Sequence, residues 1–560
     1  LFIPTTKEEI KNLGWDNLDI IIISGDTYID SSYNGASLIG HLLMDKGYRV
    51  GIIAQPDINT DKDITRLGEP SLFWGITSGS VDSMVSNYTA TKKRRNIDDL
   101  TPGNFNNKRP DRALIVYTNL IRRFFKNTVP IVLGGIEASL RRIAHYDYWS
   151  NKVRRSILFD AKADYLIYGM AEKSVIELAD ALKKNYDICN IKGLCYISKE
   201  KNNDYIDSPS FENAAGDKDQ FIKMFDLFYE NNDPFKNVGL QQRHGDRYLI
   251  HNPPSPLLSV KELDHVYTLP YERDVHPYYK KDGEVRALNT IKFSIVTHRG
   301  CYGECNFCSI ALHQGRHVVS RSEESIIKEV VGITKHPDFK GIINDLGGPT
   351  ANMYGITCSK MGTEVLCKDK RCLYPEICGN LKNSHKRQIN LLKKINTIKG
   401  VKKIFVSSGL RYDMILADKD NGEEYLEDLL KNHVSGQLKL APEHSEDEIL
   451  KLMGKSGINL LNLFLKLFYK INNKLSKMQF LTYYFIAAHP GCTEKDMHNL
   501  KKYIKKELHI NPEQVQVFTP TPSTYSTLMY YTGIDPVNNN KLFVERDPNK
   551  ADKQKRIIIN

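Results

Sequence analysis

Three cysteines stand at a spacing that suits metal chemistry: Cys301, Cys305 and Cys308, in the run Cys301-Tyr-Gly-Glu-Cys305-Asn-Phe-Cys308. Thiolates are soft ligands that favour zinc or iron-sulfur clusters, and a four-iron cluster is ordinarily held by four of them. Three thiolates at C-x3-C-x2-C therefore leave one iron open to another ligand. The alternative is a zinc knuckle that borrows His298 or His313 as its fourth ligand.

A second group, Cys358, Cys367, Cys372 and Cys378, falls within twenty-one residues that also hold Lys368, Asp369, Lys370 and Pro375. The segment has little periodicity, so four thiols there predict a metal staple, either an auxiliary iron-sulfur cluster or a structural zinc, with free thiols as the alternative. Only Cys189, Cys195 and Cys492 of the ten cysteines lie elsewhere, a clustering that favours metal over disulfides.

The first group follows an expected strand at residues 291–296, and later strand candidates end in polar or glycine-rich turns as well. These are residues 341–346, 403–406, 437–440, 479–487 and 514–518, with intervals long enough for returning helices. A parallel α/β barrel or partial barrel is the economical architecture for residues 289–535, with a cysteine-rich insertion at 355–380. In such barrels the chemistry sits where strands end. The ends here read Asp345-Leu-Gly347-Gly348-Pro349-Thr350, Ser407-Ser408-Gly409-Leu410-Arg411, Ala441-Pro442-Glu443-His444 and Ala488-His489-Pro490-Gly491-Cys492.

Residues 1–195 repeat a strand-turn-helix pattern: strands at 19–24, 48–54, 72–77, 129–133 and 164–168, with helices at 35–46, 112–126 and 172–183. That order predicts a doubly wound, Rossmann-like domain. Residues 196–288, rich in Pro, Tyr and His, read as an irregular connector, and residues 536–560 as an Asn/Lys-rich tail.

Of 560 residues, 41% are hydrophobic and 26% charged, with no apolar run near the roughly 20 residues that span a bilayer. The start, Leu1 with Thr5, Lys7, Glu8 and Glu9 close behind, resembles neither a signal nor a transit peptide, so the cytoplasm and no membrane partner are expected. Net charge is +11, which permits a polyanionic partner. Arg141-Arg142 and Arg154-Arg155 around Tyr146, Tyr148 and Trp149, with Lys92 to Arg95, could form a basic, aromatic face for RNA, or a plain solvated basic surface.

The cysteine spacing, with Phe307 just before the third ligand, resembles the signature of the radical S-adenosylmethionine (SAM) superfamily. The resemblance implies a partial (β/α)6 barrel and a 4Fe-4S cluster at Cys301, Cys305 and Cys308, with SAM chelated at the open iron. It further implies a flavodoxin- or ferredoxin-like electron donor, and hydrogen abstraction from a small-molecule or RNA substrate by a 5′-deoxyadenosyl radical. Gly347-Gly348 looks like the superfamily's GGE motif with Pro349 in place of the acid, which keeps only a backbone role toward SAM's amino group. Ser408 and Arg411 stand where SAM's carboxylate could be met, with a structural salt bridge as the other reading of Arg411, and Glu443 where its ribose hydroxyls could be.

Gly134-Gly135-Ile-Glu137 and Ala163-Asp164-Tyr-Leu-Ile-Tyr168-Gly169 are similar to cobalamin-binding domains fused to such barrels. Asp30-Ser-Ser32-Tyr-Asn-Gly35, however, puts Ser32 where the cobalt-ligating His would stand, so histidine ligation is not expected and cobalamin is left open. With Ile23-Ser-Gly-Asp26-Thr-Tyr28-Ile-Asp30 and Gly51-Ile-Ile-Ala-Gln55-Pro56-Asp57 added, nearly the whole chain resembles the YgiQ-type radical-SAM proteins. That family has no settled substrate, and its members continue past the barrel, so residue 560 is expected to be a truncation. A methylthiotransferase-like RNA-modifying enzyme and a non-catalytic, metal-stabilised binding protein are the other functions that fit these residues.

Overall fold

Runs of β-branched residues with no polar interruption form strands covered on both faces. In the computed structural model, β1 (Ile20–Ser24) and β2 (Val50–Ala54) are buried at every position. Residues 1–361, 367 and 371–559 are described; residues 362–366 and 368–370 of the expected cysteine-rich insertion, with Lys368, Asp369 and Lys370, and residue 560 lie outside them. The chain divides into two units. One comprises Leu1–Leu257, Thr268–Lys292 and Thr521–Ser523, and the other Leu258–Tyr267, Phe293–Pro520 and Thr524–Asn560.

In the first unit β1 pairs in parallel with β2 on one side and with β3 (Phe73–Thr77) on the other. β3 continues to β4 (Ile131–Gly134) and β4 to β5 (Tyr165–Ile167), both parallel. The order β2-β1-β3-β4-β5 is that of a doubly wound sheet whose direction of winding reverses between β1 and β3. Helices Gly35–Asp45, Ala113–Phe124 and Glu172–Lys184 supply the returns, the first started by Asn34, whose Oδ1 accepts from the Ala36 and Ser37 amides.

The sheet does not stop at β5. Antiparallel β6 (Leu194–Ser198) follows, then β9 (Arg247–His251), β8 (Leu240–His244) and β7 (Ile206–Ser208), making nine strands. The irregular connector expected at 196–288 is thus corrected over much of its length: it also holds helices Phe211–Gly216 and Lys218–Glu230. β8 and β9 escape a hydrophobic-pattern reading because Gln241, Gln242, His244 and His251 are buried polar residues. The cost of burying Gln242 and His251 is met by Gln242 Oε1 accepting the Ala144 amide at 2.9 Å and Arg142 Nε donating to His251 at 2.9 Å.

Beyond the ends of β1 and β3 lies the crevice where doubly wound sheets take ligands. Here the chain fills it. A Cβ on Gly25 would lie 2.2 Å from the Ser78 carbonyl oxygen. Asp26 accepts the Ser80 amide at 2.6 Å and pairs at 2.5 Å with Arg109, which reaches Asp98 at 3.3 Å and donates Nε to the Gly25 carbonyl at 3.1 Å. Gln55 Nε2 closes the ring, donating to the same carbonyl at 3.0 Å and to Thr101 Oγ1 at 2.7 Å. Asp30 is likewise consumed, accepting from Ser37 Oγ, His41 Nε2 and the Glu272 amide.

The second unit carries β10 (Ser294–Val296), β11 (Asp345–Gly347, preceded by Ile342–Ile343), β12 (Lys403–Ile404), β13 (Gln437–Glu443), β14 (Phe480–Ala487) and β15 (Gln514–Val517). Each is parallel to the next in chain order. β10 pairs with β11, Ile342–Ile343 with β12, Leu410 bridges to Leu440 on β13, and β13, β14 and β15 run side by side. Helices such as Glu323–Thr334, Lys386–Asn396, Ile458–Lys474 and Glu494–Tyr503 return the chain between strands and bury Ile326, Leu392, Phe464 and Leu500 against them. The expected tail is also corrected. Pro548–Ile559 is a helix whose Gln554, fully buried, accepts the Ala488 amide at 3.0 Å just past β14. No helix among the described residues is long and apolar enough to cross a membrane.

Replacing Arg109 by Leu leaves Asp26 and Asp98 buried without their cation, so we expect a loss of about 3–5 kcal/mol in unfolding free energy, read as a lower urea midpoint.

Candidate functional site

The cysteine loop leaves β10 through Thr297, whose amide and hydroxyl both donate to the Gly347 carbonyl, at 2.7 and 3.1 Å. His298–Arg299 then pairs antiparallel with Val319–Ser320, which ties the two ends of the loop together. Gly300 sits at φ +82° with its would-be Cβ 2.0 Å from the His317 carbonyl oxygen, a place only glycine can occupy. The Cys301 amide donates to Gly315 and the Cys308 amide to Cys305. Asn306 hangs the loop on the helix Asp447–Met453, its amide donating to the Met453 carbonyl at 2.9 Å and its Nδ2 to Leu452 at 2.8 Å.

These bonds bring two of the sulfurs to one space. The position of a Gly303 Cβ lies 3.2 Å from Cys301 Sγ and 3.7 Å from Cys305 Sγ. Thr350 Oγ1 is 3.5 Å from Cys301 Sγ. Burial pushes the Cys308 thiol up to about 12 and the Cys301 thiol up as well. His298 Nδ1 meets Thr297 Oγ1 at 2.9 Å and its ring packs on Gly348. Among the described residues no three His, Cys, Asp or Glu side chains stand close enough to hold a single metal ion as they are.

Four strand ends surround the loop's own strand. Gly347 and Gly348 end β11, and both lone pairs of the Gly347 carbonyl are used by Thr297. Asp345 accepts the Ser407 amide at 2.8 Å and the Ser408 hydroxyl, binding the ends of β11 and β12 together. Glu443 ends β13 at φ +72°, buried and in a conformation that a side chain of its size rarely adopts. Its carboxylate makes no hydrogen bond among the described residues, and burial raises its pKa against the opposing charges of Lys455 and Arg411.

Arg411 makes the structural ion pair that was the other reading of this residue. Its fork is closed on Asp413, with Nε to Oδ1 at 2.9 Å and Nη2 to Oδ2 at 2.5 Å. The remaining arm, Nη1, points to Cys305 Sγ at 3.7 Å. Asn352 fixes the Arg411 backbone, accepting its amide and donating to its carbonyl, both at 2.9 Å. Asp413 and Asn352 are parts that pattern reading missed; Asp413 lies only two residues past Arg411, but an acid in a helix's first turn is ordinary. Cys492, at the end of β14, is a buried thiol pushed up to about 12, with His444 Nε2 3.6 Å from its sulfur.

Residues 2–294 match the family described as Radical SAM N-terminal. A UPF0313 protein of Fusobacterium nucleatum is 61% identical over 558 residues, covering 100% of this chain and 98% of the relative. The chain belongs to the UPF0313 radical-SAM family. A UPF0313 protein of Thermotoga maritima is 49% identical over 562 residues, again covering 100% of this chain and 98% of the relative. In fold, the chain is similar to the cobalamin-dependent SAM radical enzyme OxsB solved with aqua-cobalamin bound, at a TM-score of 0.51 and 13% identity, covering 94% of this chain and 57% of that one.

In this UPF0313 protein the second cysteine group backs onto the first. Tyr302, fully buried in the loop, packs with Ile356, Leu373 and Leu381, and Cys301, Cys358 and Cys372 lie against the same apolar patch. Cys358 stands opposite Leu381 on a short ladder, and the Cys378 amide donates to the Cys372 carbonyl at 2.8 Å. Arg316 Nη2 donates to the Cys367 carbonyl at 3.0 Å, and Arg371 Nη1 to the Glu304 carbonyl within the first loop at 3.0 Å.

The RNA face expected around Arg141 is corrected. Arg141 and Arg142 are buried, Arg142 stacked between Tyr168 and Phe228 at 4.4 Å from each ring centre. Tyr146 and Tyr148 are buried too, which leaves only Lys92 to Arg95 and Arg155 of that group exposed.

A Cβ on Gly348 would lie 2.6 Å from the His298 ring and 2.8 Å from its carbonyl oxygen, whereas one on Gly409 would meet nothing within 4 Å. Gly348→Ala is therefore expected to lose about 1–3 kcal/mol of stability by overpacking, and Gly409→Ala to stay within about 0.5 kcal/mol of the parent, in chemical unfolding.

Proposed function

We propose that this UPF0313 protein is a cytoplasmic radical-SAM enzyme, with Cys301, Cys305 and Cys308 as the ligands of a 4Fe-4S cluster. The observation that carries the reading is the loop itself: three thiols delivered past the end of β10, two of their sulfurs flanking one space, with the ends of β11, β12 and β13 beside them. When bound, such a cluster supplies, with SAM at its open iron and one electron from a flavodoxin- or ferredoxin-like donor, a 5′-deoxyadenosyl radical that takes hydrogen from substrate.

On this reading the six parallel strands are the partial (β/α)6 barrel. Thr297 uses up the Gly347 carbonyl, so the backbone role toward SAM's amino group falls to Gly348. Ser408, its proton given to Asp345, keeps its oxygen lone pairs for a donor. Glu443, buried with no hydrogen bond of its own, offers two oxygens to ribose hydroxyls, and such bonds would relieve the cost of its burial. Thr350 is placed to donate its hydroxyl hydrogen to the Cys301 sulfur.

The second group, Cys358, Cys367, Cys372 and Cys378, is assigned a further cluster or a zinc that braces the first loop from behind Tyr302. Cobalamin is assigned no role. Doubly wound sheets take their ligands at the crevice between β1 and β3, and that place is filled by Asp26, Arg109, Asp98 and Gln55. With Arg141 and Arg142 buried, the substrate is better sought among small molecules than RNA.

Two measurements test this. After anaerobic reconstitution with iron and sulfide, dithionite and SAM should yield 5′-deoxyadenosine from the native protein and none from the variant with Cys301, Cys305 and Cys308 changed to Ala; a reconstituted, SAM-bound native protein that yields none refutes the reading. Metal analysis of the purified protein should show iron or zinc that persists in that triple variant and disappears when Cys358, Cys372 and Cys378 are changed to Ser in the triple variant as well.

A further inference from the structure

Arg411 presents three features together that a grip on SAM does not need. Its guanidinium is almost wholly buried, its fork is closed on an equally buried Asp413, and its free arm ends at a sulfur of the cluster loop. The approach depends on a missing side chain. A Cβ on Gly303 would lie 3.1 Å from Arg411 Nη1, 3.2 Å from Cys301 Sγ and 3.7 Å from Cys305 Sγ, in the middle of the gap between guanidinium and thiols. The mount is rigid: Asn352 holds the Arg411 backbone through two hydrogen bonds, and Asp413 Oδ1 also accepts the Met414 amide at 3.0 Å.

Resting on the cluster assignment above, we infer that Arg411 is a positioning residue of the cluster: its Nη1 donates to the Cys305 sulfur through the gap left by Gly303 and raises the potential at which the cluster accepts an electron. One-electron reduction adds negative charge to iron and sulfur, and hydrogen bonds to the sulfurs are a main determinant of cluster potential. A cation held at 3.7 Å from a ligating sulfur in a buried site favours the reduced state over the oxidised one, and acts more strongly there than in water. Asp413 offsets part of this charge, but it binds Nε and Nη2 and leaves Nη1 to the sulfur. Asp413 thus aims the cation.

The test is an EPR-monitored redox titration of the reconstituted full-length protein, first without SAM. Arg411→Met should move the cluster's midpoint to more negative potential, and Arg411→Lys, which keeps the charge but not the fork, should move it less. Gly303→Ala should shift it in the same direction as Arg411→Met, by driving the guanidinium from the sulfurs while both charges remain. Native potentials in Gly303→Ala and in whichever Arg411 variants load iron overturn the inference. So does an Arg411→Met protein whose SAM-free potential is native but whose SAM affinity falls, because that is the signature of a carboxylate grip. If the native protein forms no cluster, the cluster assignment itself fails, which is a separate result.

Discussion

Parallel pairing in chain order is the constraint on which the candidate site depends. A strand that runs beside its predecessor in the same direction must end on the same edge, so every loop after β10, β11, β12, β13 and β14 opens on one side of the second unit. Neighbouring loops then hydrogen-bond to one another. Thr297 reaches Gly347, Asp345 takes Ser407 and Ser408, Asn352 holds Arg411, and Asn306 hangs on Met453. Each loop is oriented by the next, which is how a site assembled from residues over a hundred apart can be held without a continuous element beneath it.

The edge is also where buried charge collects. Arg411 and Asp413 satisfy each other, whereas Glu443 at φ +72° is held in a strained backbone with no hydrogen bond to its carboxylate. Backbone strain is costly, and it coincides here with the thiols. The first unit presents the same kind of edge but treats it differently. There Asp26, Arg109, Asp98 and Gln55 satisfy one another and close the crevice between β1 and β3, so one parallel-sheet edge is filled and the other keeps unmet hydrogen-bonding capacity.

Legibility along the chain followed the strength of the periodic signal. The strands at 20–24, 50–54 and 73–77 were readable because runs such as Ile20 to Ile23 carry no polar residue, and the six strands of the second unit because each ends in a distinctive turn. β8 and β9 were not, since Gln241, Gln242, His244 and His251 look like surface residues until their buried partners are known. Arg141 and Arg142 misled for the same reason: a charged pair reads as solvated, and only Tyr168, Phe228 and Asp82 make its burial tolerable.

By itself the sequence determined that Cys301, Cys305 and Cys308 stand close together along the chain. Three thiols at C-x3-C-x2-C can reach one cluster whatever the rest of the chain does, because covalent spacing limits how far apart they can be. Family membership and the order of strands followed from patterns of similar local reach. What each side chain at the strand ends touches was decided only by the tertiary structure. That Arg411 spends its fork on Asp413 and turns its last arm to Cys305, that Gly303 leaves the gap for it, and that Arg109 seals the other sheet are contacts between distant segments. Hydrogen bonds and ion pairs of that kind depend on distances of a few ångströms, which local spacing does not encode.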